Sequence, residues 1–179
     1  MMQLQHFNTS QTEWVIALFT RVFTDSEGEA EGLLLGQLVS DLIATTAPED
    51  LIGCVAVDEN KVLGTIFFSR FQLPTLMSAF LLSPVAIATE QQGQGLGQRL
   101  IQFGLAHLKE MGAEVAITYG DPNFYSKVGF HHISEAIIQA PVPLSHPEGW
   151  LAQSLTGRPI RHHIGATQCA KALQNPQYW

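Results

Sequence analysis

Apolar positions recur at helical intervals twice near the start of the chain, first as Trp14, Ala17, Leu18 and Val22, then as Leu34, Leu38 and Leu42. The spacing predicts one helix over roughly 12–23 and a second over roughly 30–45. Ser10-Gln11-Thr12-Glu13 has the capping-box spacing at the head of the first. A polar, acidic break, Thr24 to Gly28, separates the two, and Ala47-Pro48-Glu49-Asp50 ends the second.

The period then changes. Residues 52–57 and 62–71 are rich in β-branched and apolar residues, and Asp58-Glu59-Asn60-Lys61 between them has turn chemistry, so a hairpin is predicted. Residues 79–88 form a further apolar strand interrupted by Pro84, which cannot donate to a ladder and should sit at a bulge or strand edge. After a glycine-rich turn, Leu96, Leu100, Phe103 and Leu108 predict a helix over roughly 95–111, stopped by Gly112. A strand over 114–119, a short helix over 122–128 ended by Gly129, and a strand from Phe130 follow. Beyond Pro141, Pro143 and Pro147, residues 150–155 read as a closing strand and 166–173 as a short helix. The order predicts a layered α/β (α+β) domain.

The chain has 179 residues, 46% apolar and 14% charged, which sets one domain as the expectation. The formal charge is −7, which argues against a general nucleic-acid binder. The N-terminus has no basic segment followed by an apolar run, and residues 71–88 are too interrupted to span a membrane, so a cytoplasmic protein is expected. Cys54 and Cys169 are the only cysteines and read as reduced thiols. The adjacent pairs His131-His132 and His162-His163 would point to opposite faces of a strand, and no Cys or His spacing has a zinc pattern; no metal is expected, and the histidines read mostly as surface or core-edge residues.

Candidate chemistry concentrates in Gln92-Gly93-Gln94-Gly95-Leu96-Gly97 and in Phe124-Tyr125-Ser126-Lys127-Val128-Gly129-Phe130. A glycine turn opening a helix offers unpaired backbone N–H groups to an anion. A Walker A loop needs a lysine after the glycines, and none follows. A dinucleotide fingerprint needs a third glycine where Gln98 stands, and a first βα turn where a hairpin precedes.

The remaining pattern, Gln92-x-x-Gly95-x-Gly97 between an apolar strand and an amphipathic helix, resembles the Gln/Arg-x-x-Gly-x-Gly/Ala signature of the GNAT N-acetyltransferase superfamily. Ser83 to Ala88 looks like the family's splayed strand. Gly120-Asp121-Pro122-Asn123-Phe124-Tyr125 is similar to a segment of one bacterial subgroup. The resemblance covers about 10–138 and is loose after Pro141, leaving 141–179 as a loosely matched extension of a single domain. It implies a mixed, mostly antiparallel sheet splayed at a central strand, with helices on both faces.

It also implies an N-acetyltransferase that moves an acetyl group from acetyl-CoA to a primary amine of a small molecule or peptide by direct attack in a ternary complex. By position, Val85, Ala86 and Ile87 would pair with the pantetheine arm. Gln92, Gly93, Gln94, Gly95, Leu96, Gly97 and Gln98 would wrap the pyrophosphate. Tyr125 matches the family's general acid, which protonates the leaving thiolate. Asn123 could contact pantetheine or cap its helix, and Arg99 and Lys127 are further candidates for the phosphates or plain surface charges.

In the family the region 25–31 borders the acceptor site. Here it carries Asp25, Glu27, Glu29 and Glu31, suited to a cationic amine or simply to a helix start. Many members carry a glutamate base on the splayed strand, whereas this chain has Ser83 and Ala86. That departure motivates an alternative, an acyl-CoA-binding sensor without transfer. Aromatics of the last strand and Trp179 could join a homodimer surface or the core.

Overall fold

The computed structural model describes residues 1–179. The elements are β1 (Gln3–His6), α1 (Thr12–Glu27), α2 (Glu29–Thr45), β2 (Leu51–Asp58), β3 (Lys61–Phe71), β4 (Ala79–Ile87), α3 (Leu96–Glu110), β5 (Val115–Tyr119), α4 (Pro122–Tyr125), β6 (His131–His132) and β7 (Trp150–Ser154). The strands hydrogen-bond in the order β1-β2-β3-β4-β5-β7-β6, a mixed and mostly antiparallel sheet in which β4 and β5 run parallel. The parallel pair follows from its connection: α3 carries the chain back before β5 begins. No helix is long and apolar enough to cross a membrane.

Two compact units divide the chain, one made of Met1–Phe68 with Pro84–Gly104, the other of Ser69–Ser83 with Leu105–Trp179. In the first, Asn8 rather than Ser10 supplies the capping box. Its side chain accepts from the Ser10 N–H, while Gln11 Oε1 accepts from the Asn8 N–H, each at 3.0 Å. A 3-10 turn at Thr9–Gln11 then leads into α1. The polar break predicted after the first helix shrinks to Gly28 at φ 103, because α1 continues to Glu27 and α2 resumes at Glu29. Glu29 and Glu31 lie in the first turn of α2, where the helix dipole favours carboxylates. Phe19 of α1 packs on Phe67 of β3, both fully buried, with ring centroids 6.5 Å apart. The β2–β3 turn carries Glu59 at φ 43 and Asn60 at φ 67, the left-handed pair that a tight hairpin requires.

In the second unit, Trp150 is fully buried and its indole N–H donates to the Ile138 carbonyl at 2.9 Å. Trp179 stacks on Tyr119 at 5.8 Å and donates to the Leu173 carbonyl at 2.7 Å. Both indoles are therefore core, which removes them from the dimer surface considered above. The closing strand expected over 150–155 is β7, and it lies between β5 and β6 in the sheet. The helix predicted over 166–173 is absent. Gln168 instead bridges Gln72 antiparallel, and only Lys171–Leu173 makes a 3-10 turn. A backbone already committed to a bridge cannot close helical turns.

Candidate functional site

In β4, the parallel register with β5 runs from Ala79↔Val115 to Leu82↔Thr118, and β4 continues to Ile87. Pro84, lacking an N–H, falls two residues past the last pair with β5. At that last pair the Thr118 hydroxyl donates to the Leu82 carbonyl at 2.8 Å.

The first unit gathers Val85, Ala86, Ile87, Gln92, Gly93, Gln94, Gly95, Leu96, Gly97 and Gln98 into one strand–turn–helix. Ala86 is buried, while Val85 and Ile87 are half-buried. After a 3-10 turn at Thr89–Gln91, Gly93 takes φ 73 and Gly95 φ 77, a region that L side chains enter only with strain. Nothing lies within 4 Å of where a Cβ would stand at either glycine. Space therefore does not require glycine there; backbone conformation does. The side-chain amides of Gln92 and Gln94 donate to the Ile87 and Glu90 carbonyls at 3.0 and 3.1 Å, bracing the turn from within. The Arg99 N–H donates to the Gly95 carbonyl, so α3 begins there, and its first N–H groups have no partner within the helix. Leu96 and Gly97 are buried and Gln98 half-buried. An uncluttered turn ending at the positive end of a fifteen-residue helix fits a pyrophosphate.

Two further residues of this unit, which the sequence reading did not single out as braces, hold the turn against α1. Asp25 accepts from the Thr89 hydroxyl at 2.7 Å, and Arg21 pairs with Glu90 at 3.3 Å. Glu90 is held below the usual carboxylate range, first by a hydrogen bond from its own backbone and then by Arg21. The spacing of Arg21 and Asp25 puts them on one face of α1, but their partners lie 69 and 64 residues away, so no local pattern announces the pairs. Asp25 is thus tied to the turn, while Glu31 is half-buried in α2. No carboxylate occurs between Pro84 and Ile87.

The second unit holds Asn123 and Tyr125. Asp121 caps α4, its carboxylate accepting from the Asn123 N–H at 2.9 Å, so capping is not the role of Asn123, whose side chain is exposed. The Tyr125 ring meets Phe124 and Phe130 edge-on, with centroids at 5.0 and 5.9 Å. A Cβ on Gly120 would stand 2.6 Å from Tyr125 Cε2. Although part of the residue remains accessible, its phenol end is closely surrounded. Burial pushes the phenol up to about 12, the Thr118 hydrogen bond pulls against that rise, and the Asp121 charge adds to it. The group therefore stays protonated at ordinary pH, the state a proton donor needs.

Beside Gly120 a cavity of about 400 Å³ is lined by Tyr119, Asp121, His146, Glu148 and Tyr178 among others. No group of three His, Cys, Asp or Glu side chains is disposed to hold a metal ion. His131 and His132 are exposed, whereas His163 is buried and its Nδ1 hydrogen-bonds Thr75 Oγ1 at 2.8 Å.

The parallel pair β4–β5 registers over four residue pairs, and β4 leads through the glycine turn into α3. The model of the acetyltransferase (GNAT) domain family matches residues 49–132. The chain is 32% identical over 139 residues to YjhQ of Escherichia coli K12, named an uncharacterized N-acetyltransferase, covering 74% of this chain and 76% of that protein. It is 34% identical over 122 residues to YhbS of the same strain, likewise named, covering 65% and 68%. The crystal structure of Escherichia coli YhbS in complex with CoA matches with a TM-score of 0.81 at 25% identity, over 96% of this chain and 91% of that one. A GNAT acetyltransferase from Brucella melitensis, crystallised with acetyl-CoA, shares the fold with a TM-score of 0.70 at 22% identity, over 95% of each chain. The chain belongs to the GNAT acetyltransferase family.

Proposed function

We propose that this chain transfers an acetyl group from acetyl-CoA to a primary amine of a small molecule or peptide, by direct attack in a ternary complex. The observation that carries the proposal is the turn at Gly93 and Gly95, open at both α-carbons and running into the N-terminus of α3. Its support lies in membership of the GNAT family and in relatives crystallised with CoA and acetyl-CoA.

In this proposal the turn and the first residues of α3 hold the pyrophosphate, while backbone groups of Val85–Ile87 receive the pantetheine arm. The amine nitrogen attacks the acyl carbon, a C–N bond forms and the C–S bond breaks. Sulfur leaves with the electron pair and takes the Tyr125 phenol proton. A strand N–H near Val85–Ile87 meets the charge developing on the acyl oxygen. The amine proton leaves through water or through a group outside Pro84–Ile87, since that stretch holds no carboxylate. The cavity lined by Asp121 and Glu148 suits a cationic acceptor. A cytoplasmic setting fits the two free, buried cysteines.

The test is release of free CoA thiol from acetyl-CoA against a polyamine, an aminoglycoside and a lysine-containing peptide. Transfer to any of them supports the proposal. The missing strand carboxylate favours one rival, a sensor that binds acetyl-CoA without transferring it. Tight binding with no transfer to any amine would select that rival.

A further inference from the structure

We infer that His146 is the general base of the proposed transfer and takes the proton of the acceptor amine. The inference rests on the reading of this chain as an acetyl-CoA-dependent transferase with Tyr125 as proton donor.

A primary amine of the lysine type has a pKa of about 10.4, so it arrives as an ammonium with no lone pair to attack with. Pro84–Ile87 holds no carboxylate to take the proton. The base must come from another element near Tyr125, and Gly120 leads to one. A Cβ on Gly120 would stand 2.6 Å from Tyr125 Cε2, the ring carbon next to the one that bears the hydroxyl. Gly120 also lines the cavity of about 400 Å³ into which His146 and Glu148 face. The cavity and the phenol edge of Tyr125 therefore share one glycine between them.

The turn that carries His146 is pinned to the end of β5. Gly120 N–H donates to the Gly149 carbonyl at 3.0 Å, and Gly149 N–H donates to the His146 carbonyl at 2.8 Å. The His146 N–H donates to the Tyr119 hydroxyl at 2.7 Å. All three bonds use main-chain atoms of the turn, so the side chains of His146 and Glu148 are exposed and free for other work. His146 Nδ1 stands 3.4 Å from Glu148 Oε1. A carboxylate only accepts, so this neighbour favours the tautomer with its proton on Nδ1 and leaves the Nε2 lone pair for an incoming proton. The same carboxylate offsets the charge of the imidazolium that forms. The other ionisable groups facing the cavity are Asp121 at the head of α4, Tyr119 on β5 and Tyr178. Asp121 and Glu148 attract an ammonium, and so do aromatic rings.

The protons balance. The ammonium gives one to His146 Nε2 and becomes a nucleophile, and His146 returns that proton to water after turnover. The nitrogen sheds a second proton once the C–N bond has formed, which replaces the one Tyr125 gives to sulfur. One proton is released for each amide and CoA thiol made.

The test is the pH–rate profile of His146→Gln beside wild type, with spermidine, an aminoglycoside and a lysine-containing peptide as acceptors and CoA thiol release as the readout. The substitution leaves the main-chain bonds of the turn in place, and thermal melts check the fold. Wild-type kcat should fall on acidification through the range in which imidazoles titrate. His146→Gln should lose that limb, lower kcat about 10²-fold near neutral pH and leave KM for acetyl-CoA unchanged. Added imidazole should restore part of the rate in His146→Gln and none in Tyr125→Phe. His131→Gln, on exposed β6, should keep both rate and limb. Wild-type rate in His146→Gln, an unchanged limb, or a loss that imidazole does not restore would overturn the inference and leave the transferase reading standing. No turnover by the wild type with any of the three amines would remove that reading and the inference with it.

Discussion

Gly120 lies so close to Tyr125 that the two cannot both carry a full side chain in their present places, a Cβ on Gly120 falling 2.6 Å from Tyr125 Cε2. The other side of Gly120 is equally occupied, since a Cβ on Gly149 would come within 2.7 Å of its carbonyl oxygen and its N–H donates to the Gly149 carbonyl at 3.0 Å. Gly120→Ala can therefore be accommodated only by moving the Tyr125 ring. Such overpacking costs about 1–3 kcal/mol. The expected result is a modest fall in Tm with a larger fall in kcat, and kinetics beside a thermal melt check it.

If Tyr125 is the proton donor of the proposed reaction, Tyr125→Phe removes that proton and keeps the ring that contacts Phe124 and Phe130. The loss in kcat should be on the order of 10²-fold, with KM for acetyl-CoA unchanged. Because burial holds the phenol near 12, wild-type kcat should show no decline from Tyr125 ionisation between pH 7 and about pH 10. A pH–rate profile reads this directly.

Gly95→Ala introduces a side chain into open space but at φ 77. The cost is conformational, about 1–2 kcal/mol. If the turn relaxes to avoid it, the N–H groups that lead into α3 lose their aim. Affinity for acetyl-CoA should fall, as measured by calorimetry, while the same substitution at Gly104, outside the turn, should lower stability without that selective effect.

Much of the fold was legible because its signals are local. Leu96, Leu100 and Leu108, stopped by Gly112, predict α3 within a residue at each end, and Gly112 at φ 84 ends it as expected. The hairpin follows from Asp58-Glu59-Asn60-Lys61. What escaped depends on partners distant in sequence. β1 is four residues with two glutamines, and only its pairing of Gln3–His6 with Val57–Cys54 makes it a strand. The capping box at Asn8 was displaced by the equally spaced Ser10 and Glu13, because a motif of two residues does not say which copy is used. Asp121 rather than Asn123 caps α4, a choice of one position that composition does not make. The glycine turn was visible in the sequence, whereas its braces Arg21 and Asp25 were not, since Glu90 and Thr89 meet them only in the folded chain.

His163 gives the fold an acid-sensitive contact. It is buried, its Nδ1 bonds Thr75 and its Nε2 has no partner. Burial lowers its pKa, with Glu114 opposing. The unfolded chain therefore binds a proton more readily than the folded one. The His163 contribution is complete above the unfolded value of about 6.5 and is lost as pH falls through it toward the folded value. Tm should drop below about pH 6.5, and the drop should be shallower in His163→Asn, as thermal melts across pH would record.

Ligand binding at the glycine turn is tested most directly by thermal melts with acetyl-CoA, CoA, NAD and ATP in parallel. At a hundredfold excess over its dissociation constant, a bound ligand adds about 2.7 kcal/mol. Acetyl-CoA and CoA should raise Tm by several degrees and NAD should not. No shift with acetyl-CoA, or a shift with NAD or ATP alone, would contradict a coenzyme A site at Gly93 and Gly95.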